Sequence, residues 1–130
     1  ACTHGRLKLR EFADGRGELI AYQRPDATGP RTSSYRIVPI DDPQALRNAL
    51  AEALGRVGRV RKQRLLLIAG RTRIHLDRVE GLGDFIELEV VLRDGQSAAD
   101  GEVIAEALID QLGIARDQRL AGAYLDLLAR

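Results

Sequence analysis

At 130 residues the chain has room for one domain with its own core, and 45% hydrophobic with 30% charged residues is a globular balance. The net charge of +1 makes no global statement about nucleic acid or membranes, but five aromatic residues without a Trp leave little for a base-stacking platform, so no nucleic-acid partner is expected. The lone Cys2 excludes internal disulfides and a cysteine-built zinc site, and no apolar run nears the roughly 18 residues of a membrane span, so a cytoplasmic protein with no membrane partner is expected.

The chain starts ACTHGRLKLR, without an initiator Met, and enters a patterned strand within five residues. An N-terminal segment is therefore expected ahead of it. Gly5 to Phe12 alternates Arg6, Lys8 and Arg10 against Leu7 and Leu9, a strand with three cations on one face. Asp14-Gly15-Arg16-Gly17 is turn chemistry, and Glu18 to Arg24 returns as the hairpin partner. Pro25 to Pro30 is a loop, followed by a third strand from Ser33 to Pro39 that carries Arg36.

Asp41 or Asp42 then caps a helix with Pro43 in its first turn, Leu46, Ala49, Leu50, Ala53 and Leu54 as its stripe, and Gly55 at its end. A second helix starts at Ser97, with Ile104, Ala107, Leu108 and Leu112 buried and Gly113 as its stop. A short third helix is predicted over about Leu120 to Leu128, with Tyr124 in the core. Hairpins and meanders with grouped helices make an α+β fold on an antiparallel sheet.

Between the first two helices lies the most informative stretch, Val60 to Val91, which reads as three strands. Lys62 and Arg64, then Arg73, His75 and Asp77, then Glu87 and Glu89 are each spaced two apart, so they share one face of a sheet. Leu65, Leu67, Ile74, Leu76, Ile86, Leu88 and Val90 take the other face, where the helices are expected to pack. If the sheet were flat, the charged face would be wet; if it curls into a barrel, the charges line the interior.

Counting Arg6, Lys8, Arg10, Arg24, Arg36, Lys62, Arg64 and Arg73 against Asp77, Glu87 and Glu89 gives that face +5. The rest of the chain keeps twelve basic and sixteen acidic residues, at −4. Such segregation costs self-repulsion unless a polyanion neutralises it. Hard carboxylates suit Mg²⁺ or Mn²⁺ with positions left open for phosphate oxygens, and Arg and Lys grip phosphate. Together they describe a metal–polyphosphate site. The plainer alternative is that the two glutamates form cross-strand salt bridges to Arg64 or Arg73.

GRLKLR, ELIAYQRPD, S-x-Y-R, V-x-K-x-R, R-I-H-L-D-x-V-x-G-L-G-x-F-x-E-L-E and the terminal AYLDLL resemble, in order from Gly5 to Leu128, the CYTH family of triphosphate tunnel metalloenzymes. The bacterial class IV adenylate cyclase-like branch is the most similar. The resemblance implies a single CYTH domain over residues 1–130, with an eight-stranded antiparallel tunnel barrel, a charged interior and helices outside. About two N-terminal strands, including the family's E-x-E-x-K strand, are not in this sequence, and the open edge that leaves would permit a homodimer.

The resemblance also implies triphosphate binding by Arg6, Lys8, Arg10, Arg24, Arg36, Lys62, Arg64 and Arg73. It implies metal binding by Glu87 and Glu89, with Asp77 holding metal, water or a basic neighbour, and catalytic roles for Lys62, Arg64 and Asp77. The implied activity is Mg²⁺- or Mn²⁺-dependent chemistry on a nucleoside or inorganic triphosphate, either cyclisation of ATP to cyclic AMP and pyrophosphate or hydrolysis. The alternative is a non-catalytic polyanion- or nucleotide-binding module. His75 lies among these residues yet, flanked by Ile and Leu, also suits a structural place, and Gly81 and Gly83 serve a turn rather than a phosphate loop, since no helix follows.

Overall fold

The computed structural model describes residues 4–23, 30 and 32–129; Cys2 and Arg24 lie outside them. In chain order the elements are β1 (Arg6–Glu11), β2 (Gly17–Gln23), β3 (Ser34–Ile40), α1 (Pro43–Leu54), β4 (Lys62–Ala69), β5 (Thr72–Val79), β6 (Gly83–Val90), α2 (Ala98–Gln111) and α3 (Tyr124–Leu128). A single 3-10 turn, Arg116–Gln118, precedes α3 and was not expected from the sequence. The protein is α+β. Its described strands form two antiparallel sheets, ordered β1-β2-β3 and β4-β5-β6, and no ladder closes them into an eight-stranded barrel. Short turns join β1 to β2, β4 to β5 and β5 to β6, so neighbours in sequence become neighbours in the sheet. Two compact units result, one with β1–β3 and α1, the other with β4–β6, α2 and α3.

In the first unit the β1–β2 register sets Arg6 opposite Tyr22, Lys8 opposite Ile20 and Arg10 opposite Glu18. Continuing to β3, those rows end on Tyr35, Ile37 and Pro39. Arg36 instead stands in the row of Ala21 and Leu7, on the other face of the sheet. The expected grouping of Arg36 with Arg6, Lys8 and Arg10 is thereby corrected. Side chains alternate with period two, so the register and not the charge decides the face.

Helix α1 begins as read from the sequence: the Asp42 carboxylate accepts from the Ala45 amide at 2.9 Å, Pro43 takes the first turn, and the Gly55 amide closes the end on Ala51 O. It packs on β1, where both oxygens of Glu11 accept from Arg47 Nη1 at 3.0 Å. Leu46 and Leu50 are half-buried, while Ala49, Ala53 and Leu54 of the expected stripe are exposed.

The helix and sheet meet closely at Gly17. A Cβ there would lie 2.6 Å from Pro43 Cβ and 2.8 Å from the Arg10 carbonyl oxygen. Neither obstacle is the end of a flexible side chain. Gly17→Ala is expected to destabilise the protein by about 1–3 kcal/mol, the usual range for overpacking. A urea-denaturation midpoint unchanged from wild type would contradict this.

In the second unit α2 carries a reciprocal cap: the Ser97 hydroxyl accepts from the Asp100 amide, and Asp100 accepts from the Ser97 amide at 2.8 Å. Its buried residues are Gly101, Ala105 and Ile109, not the expected Ala107 and Leu112, both of which are exposed. The helix is apolar on more than one side, so spacing alone did not select the stripe. Close approach did, because Gly101 admits the Leu92 side chain, whose Cδ2 would be 2.7 Å from any Cβ.

The helices do not simply cover the apolar face of this sheet. Leu65, Leu67 and Ile86 remain 58%, 45% and 50% exposed, whereas His75, Asp77 and Val79 on the charged face are buried. Part of the reason is α3, which lies against the charged face, as its contacts with Asp77, Lys62 and Phe85 show.

Candidate active site on the second sheet

Three adjacent strands assemble the cluster. The β4–β5 register sets Arg64 opposite Asp77 and Leu66 opposite His75, and the β5–β6 register sets Asp77 opposite Phe85, His75 opposite Glu87 and Arg73 opposite Glu89. Lys62, Arg64, Arg73, His75, Asp77, Glu87 and Glu89 therefore share one face, as their spacing predicts. Of the remaining expected phosphate ligands, Arg6, Lys8 and Arg10 belong to the first unit and Arg24 lies outside the described residues. Arg10 is held by Glu18 at 3.1 Å, and the Lys8 ammonium lies 5.8 Å over the Tyr22 ring.

Asp77 is the centre of the cluster, with no exposed side-chain surface. Its Oδ1 accepts from Arg64 Nε at 2.6 Å. Its Oδ2 accepts from Arg64 Nη2 at 2.6 Å, from Lys62 Nζ at 3.0 Å and from the Tyr124 hydroxyl at 2.9 Å. Burial pushes this carboxyl's pKa upward, but the bonds from Arg64, Lys62 and Tyr124 outweigh it and hold the group well below the usual aspartate value. A buried carboxylate with four donors is satisfied. Of the roles left open for Asp77, the geometry supplies the basic neighbours, Lys62 and Arg64.

Arg64 reaches further. Its Nη2 also donates to Glu87 Oε2 at 2.7 Å, so one guanidinium links both carboxylates. Burial disfavours its charge, and the bonds to Asp77 and Glu87 more than offset that, leaving its pKa raised. Burial acts the same way on Lys62 and there prevails: its pKa is lowered in spite of the bond to Asp77. The Arg64–Glu87 contact is the cross-strand bridge that the plainer alternative anticipates for one of the two glutamates. Arg73 is exposed and, among the described residues, makes no ion pair with Glu89 across the ladder.

His75 is buried and lies between the two glutamates, its Nδ1 3.4 Å from Glu87 Oε2 and its Nε2 3.8 Å from Glu89 Oε2. The hydrogen bond with His75 is the largest influence on Glu87. With Arg64 and Lys62 it outweighs burial and holds Glu87 at about 2. The Glu87 and Glu89 side chains are 42% and 37% exposed, so both carboxylates are reachable from solvent. Among the described residues no three His, Cys, Asp or Glu groups converge to hold a metal by themselves. Two hard carboxylates still fit Mg²⁺ or Mn²⁺, which take one or two such ligands and complete their shell with phosphate oxygens and water.

Sequence reasoning placed Tyr124 in a generic core, and the structure corrects this. The ring is half-buried, stands 5.0 Å from the Phe85 ring, lies 5.2 Å below the Lys62 ammonium, and its hydroxyl bonds Asp77. Burial first, and then the bond to the Asp77 carboxylate, raise the phenol's pKa above its ordinary value. No period or spacing signals a contact across 47 residues.

Lys62, Arg64, Glu87 and Glu89 thus make one charged face on an antiparallel meander of an α+β domain. The chain belongs to the CYTH domain family, which matches residues 1–124, and that family is one of triphosphate tunnel metalloenzymes. Solved structures agree on the fold. The PH1012 protein from Pyrococcus horikoshii OT3 is 20% identical with a TM-score of 0.83, covering 94% of this chain and 73% of its own. A conserved hypothetical protein from Pyrococcus furiosus is 19% identical with a TM-score of 0.82, covering 93% and 73%. The PH1819 protein from Pyrococcus horikoshii OT3 is 26% identical with a TM-score of 0.71, covering 95% and 71%. No curated protein matches the chain. No helix among the described residues is long and apolar enough to cross a membrane.

Proposed function

We propose that the protein is a metal-dependent enzyme acting on a triphosphate, with Lys62, Arg64 and Arg73 gripping phosphate oxygens and Glu87 and Glu89 holding Mg²⁺ or Mn²⁺. The observation that carries this reading is the shared face. Two solvent-reachable carboxylates stand beside cations already fixed by a buried aspartate. Bound there, the metal would supply Lewis-acid polarisation of a phosphoryl oxygen and neutralise developing charge. Asp77 acts here as a positioning residue, since it fixes Lys62 and Arg64 and is itself enclosed. Lys62 is directed for phosphate by its two neighbours: Asp77 accepts one N–H at 3.0 Å and the Tyr124 ring lies 5.2 Å away, so the remaining N–H bonds are oriented.

On the first unit, Arg6, Lys8 and Arg10 form the β1 cation row that the family resemblance assigns to phosphate, and Arg24 belongs to the same proposal. Arg36 does not share that row. The family's tunnel barrel and a homodimer belong to this proposal as well. Hydrolysis and cyclisation use the same grip and differ in the nucleophile: water attacks the terminal phosphorus, or the ribose 3′-hydroxyl attacks the α-phosphorus and pyrophosphate leaves.

Incubating the protein with ATP or inorganic triphosphate and Mg²⁺ or Mn²⁺ tests the reading and chooses between them. Phosphate release is expected from hydrolysis, and cyclic AMP with pyrophosphate from cyclisation. One observation favours a second reading, a non-catalytic polyanion- or nucleotide-binding module: Glu87, a proposed metal ligand, is already engaged by Arg64 and His75. Triphosphate binding with neither product, under both metals, would select that module and sink the enzyme.

A further inference from the structure

We propose that Tyr124 is a positioning residue for the phosphate grip, through which the docking of α3 sets where the Lys62 ammonium stands. This rests on the triphosphate reading above and adds the C-terminal helix to that site. The Lys62 ammonium has two fixed neighbours, Asp77 Oδ2 at 3.0 Å and the Tyr124 ring at 5.2 Å, and Tyr124 touches both, because its hydroxyl donates to the same Oδ2 at 2.9 Å. The ammonium is thus held between a carboxylate and an aromatic face, an arrangement that stabilises the cation and restricts its direction. A lysine on a four-carbon stem otherwise sweeps a wide volume, and ordering it costs entropy when a phosphate arrives. Here that ordering is done in advance.

Tyr124 is in turn held in place by two separate supports. Phe85 packs its ring at 5.0 Å with the planes tilted by 51°. The rest of α3 sits over two glycines: a Cβ at Gly58 would be 2.5 Å from Leu125 Cδ1, and one at Gly81 would be 3.3 Å from Leu128 Cδ2. The helix is only five residues long, and these glycines let its leucines come close. A packing role alone leaves two facts without a reason: the hydroxyl is spent on the carboxylate that already holds Lys62 and Arg64, and the ring lies under the ammonium.

The test measures inorganic triphosphate binding by calorimetry, without metal, well below each variant's melting temperature. Tyr124→Phe keeps the ring and its packing and removes only the hydroxyl. Its affinity is expected to fall about three- to tenfold, the range of one hydrogen bond. Tyr124→Leu removes the ring as well and is expected to lose more. A purely structural residue would lower the melting temperature and leave the affinity of the folded protein unchanged. If Tyr124→Leu does not fold, Tyr124→Phe alone decides the matter. Lys62→Ala separates the two levels of inference. Loss of binding in Lys62→Ala with wild-type affinity in Tyr124→Phe overturns the role of Tyr124 alone. Wild-type affinity in Lys62→Ala overturns the triphosphate reading at this cluster, and the role of Tyr124 with it.

Discussion

Asp77→Ala is expected to lower the unfolding free energy by about 3–5 kcal/mol, the range for removing one partner from a buried charged network. The reason is what it leaves behind. Arg64 loses two bonds at 2.6 Å and keeps its bond to Glu87, while Lys62 and Tyr124 lose one each. Asp77→Asn is expected to fall between wild type and Asp77→Ala, because its amide keeps the shape but presents one acceptor oxygen.

The network also sets a pH dependence. Asp77 and Glu87 both have folded-state values below their unfolded values of 3.8 and 4.5, so the stability they contribute is present above those values. As the pH falls, that stability is lost, for Glu87 between 4.5 and about 2 and for Asp77 from 3.8 to well below it. The wild-type urea midpoint should therefore decline on acidification below about pH 4.5, and the Asp77→Ala midpoint should decline less. Parallel curves for the two proteins would rule out Asp77 as the source.

The second large effect concerns activity. Glu87→Gln and Glu89→Gln remove one hard anionic ligand each while preserving size, and each is expected to lower metal-dependent turnover by at least about a hundredfold, since metal stabilisation of a phosphoryl transition state is worth several kcal/mol. The two should separate in stability. Glu87 is bound to Arg64 and His75, so its replacement weakens the fold as well; Glu89 meets, among the described residues, only His75, at 3.8 Å, and its replacement should leave circular dichroism and melting nearly unchanged. Turnover that survives in Glu89→Gln at wild-type level, with the same dependence on Mn²⁺, would remove Glu89 from the metal site.

The period-two pattern from Lys62 to Glu89 was enough to place seven side chains on one face, because alternation along a strand is a local property. Caps were equally legible: Asp42 and Ser97 both lie where a short oxygen-bearing side chain can reach a free helix amide. Arg36 was misplaced because its face depends on how β3 registers against β2, which the loop geometry decides and the strand's own pattern does not. The stripe of α2 depended on which residue lets Leu92 approach, and the role of Tyr124 on a contact between distant segments. Those are tertiary facts with no periodic trace.

Strand β4 carries its apolar residues without alternation. Leu65, Leu66, Leu67 and Ile68 are apolar in an unbroken run and all exposed, so burial does not distinguish one alignment of this strand from its neighbour shifted by one residue. The ionic contacts at its start do, because only one alignment sets Arg64 across from Asp77. The charges are thus expected to act as a key for strand alignment during folding. Removing that key should yield more than one pairing of β4 with β5, visible as doubled amide resonances for Leu65 to Ala69 in a protein that is otherwise folded.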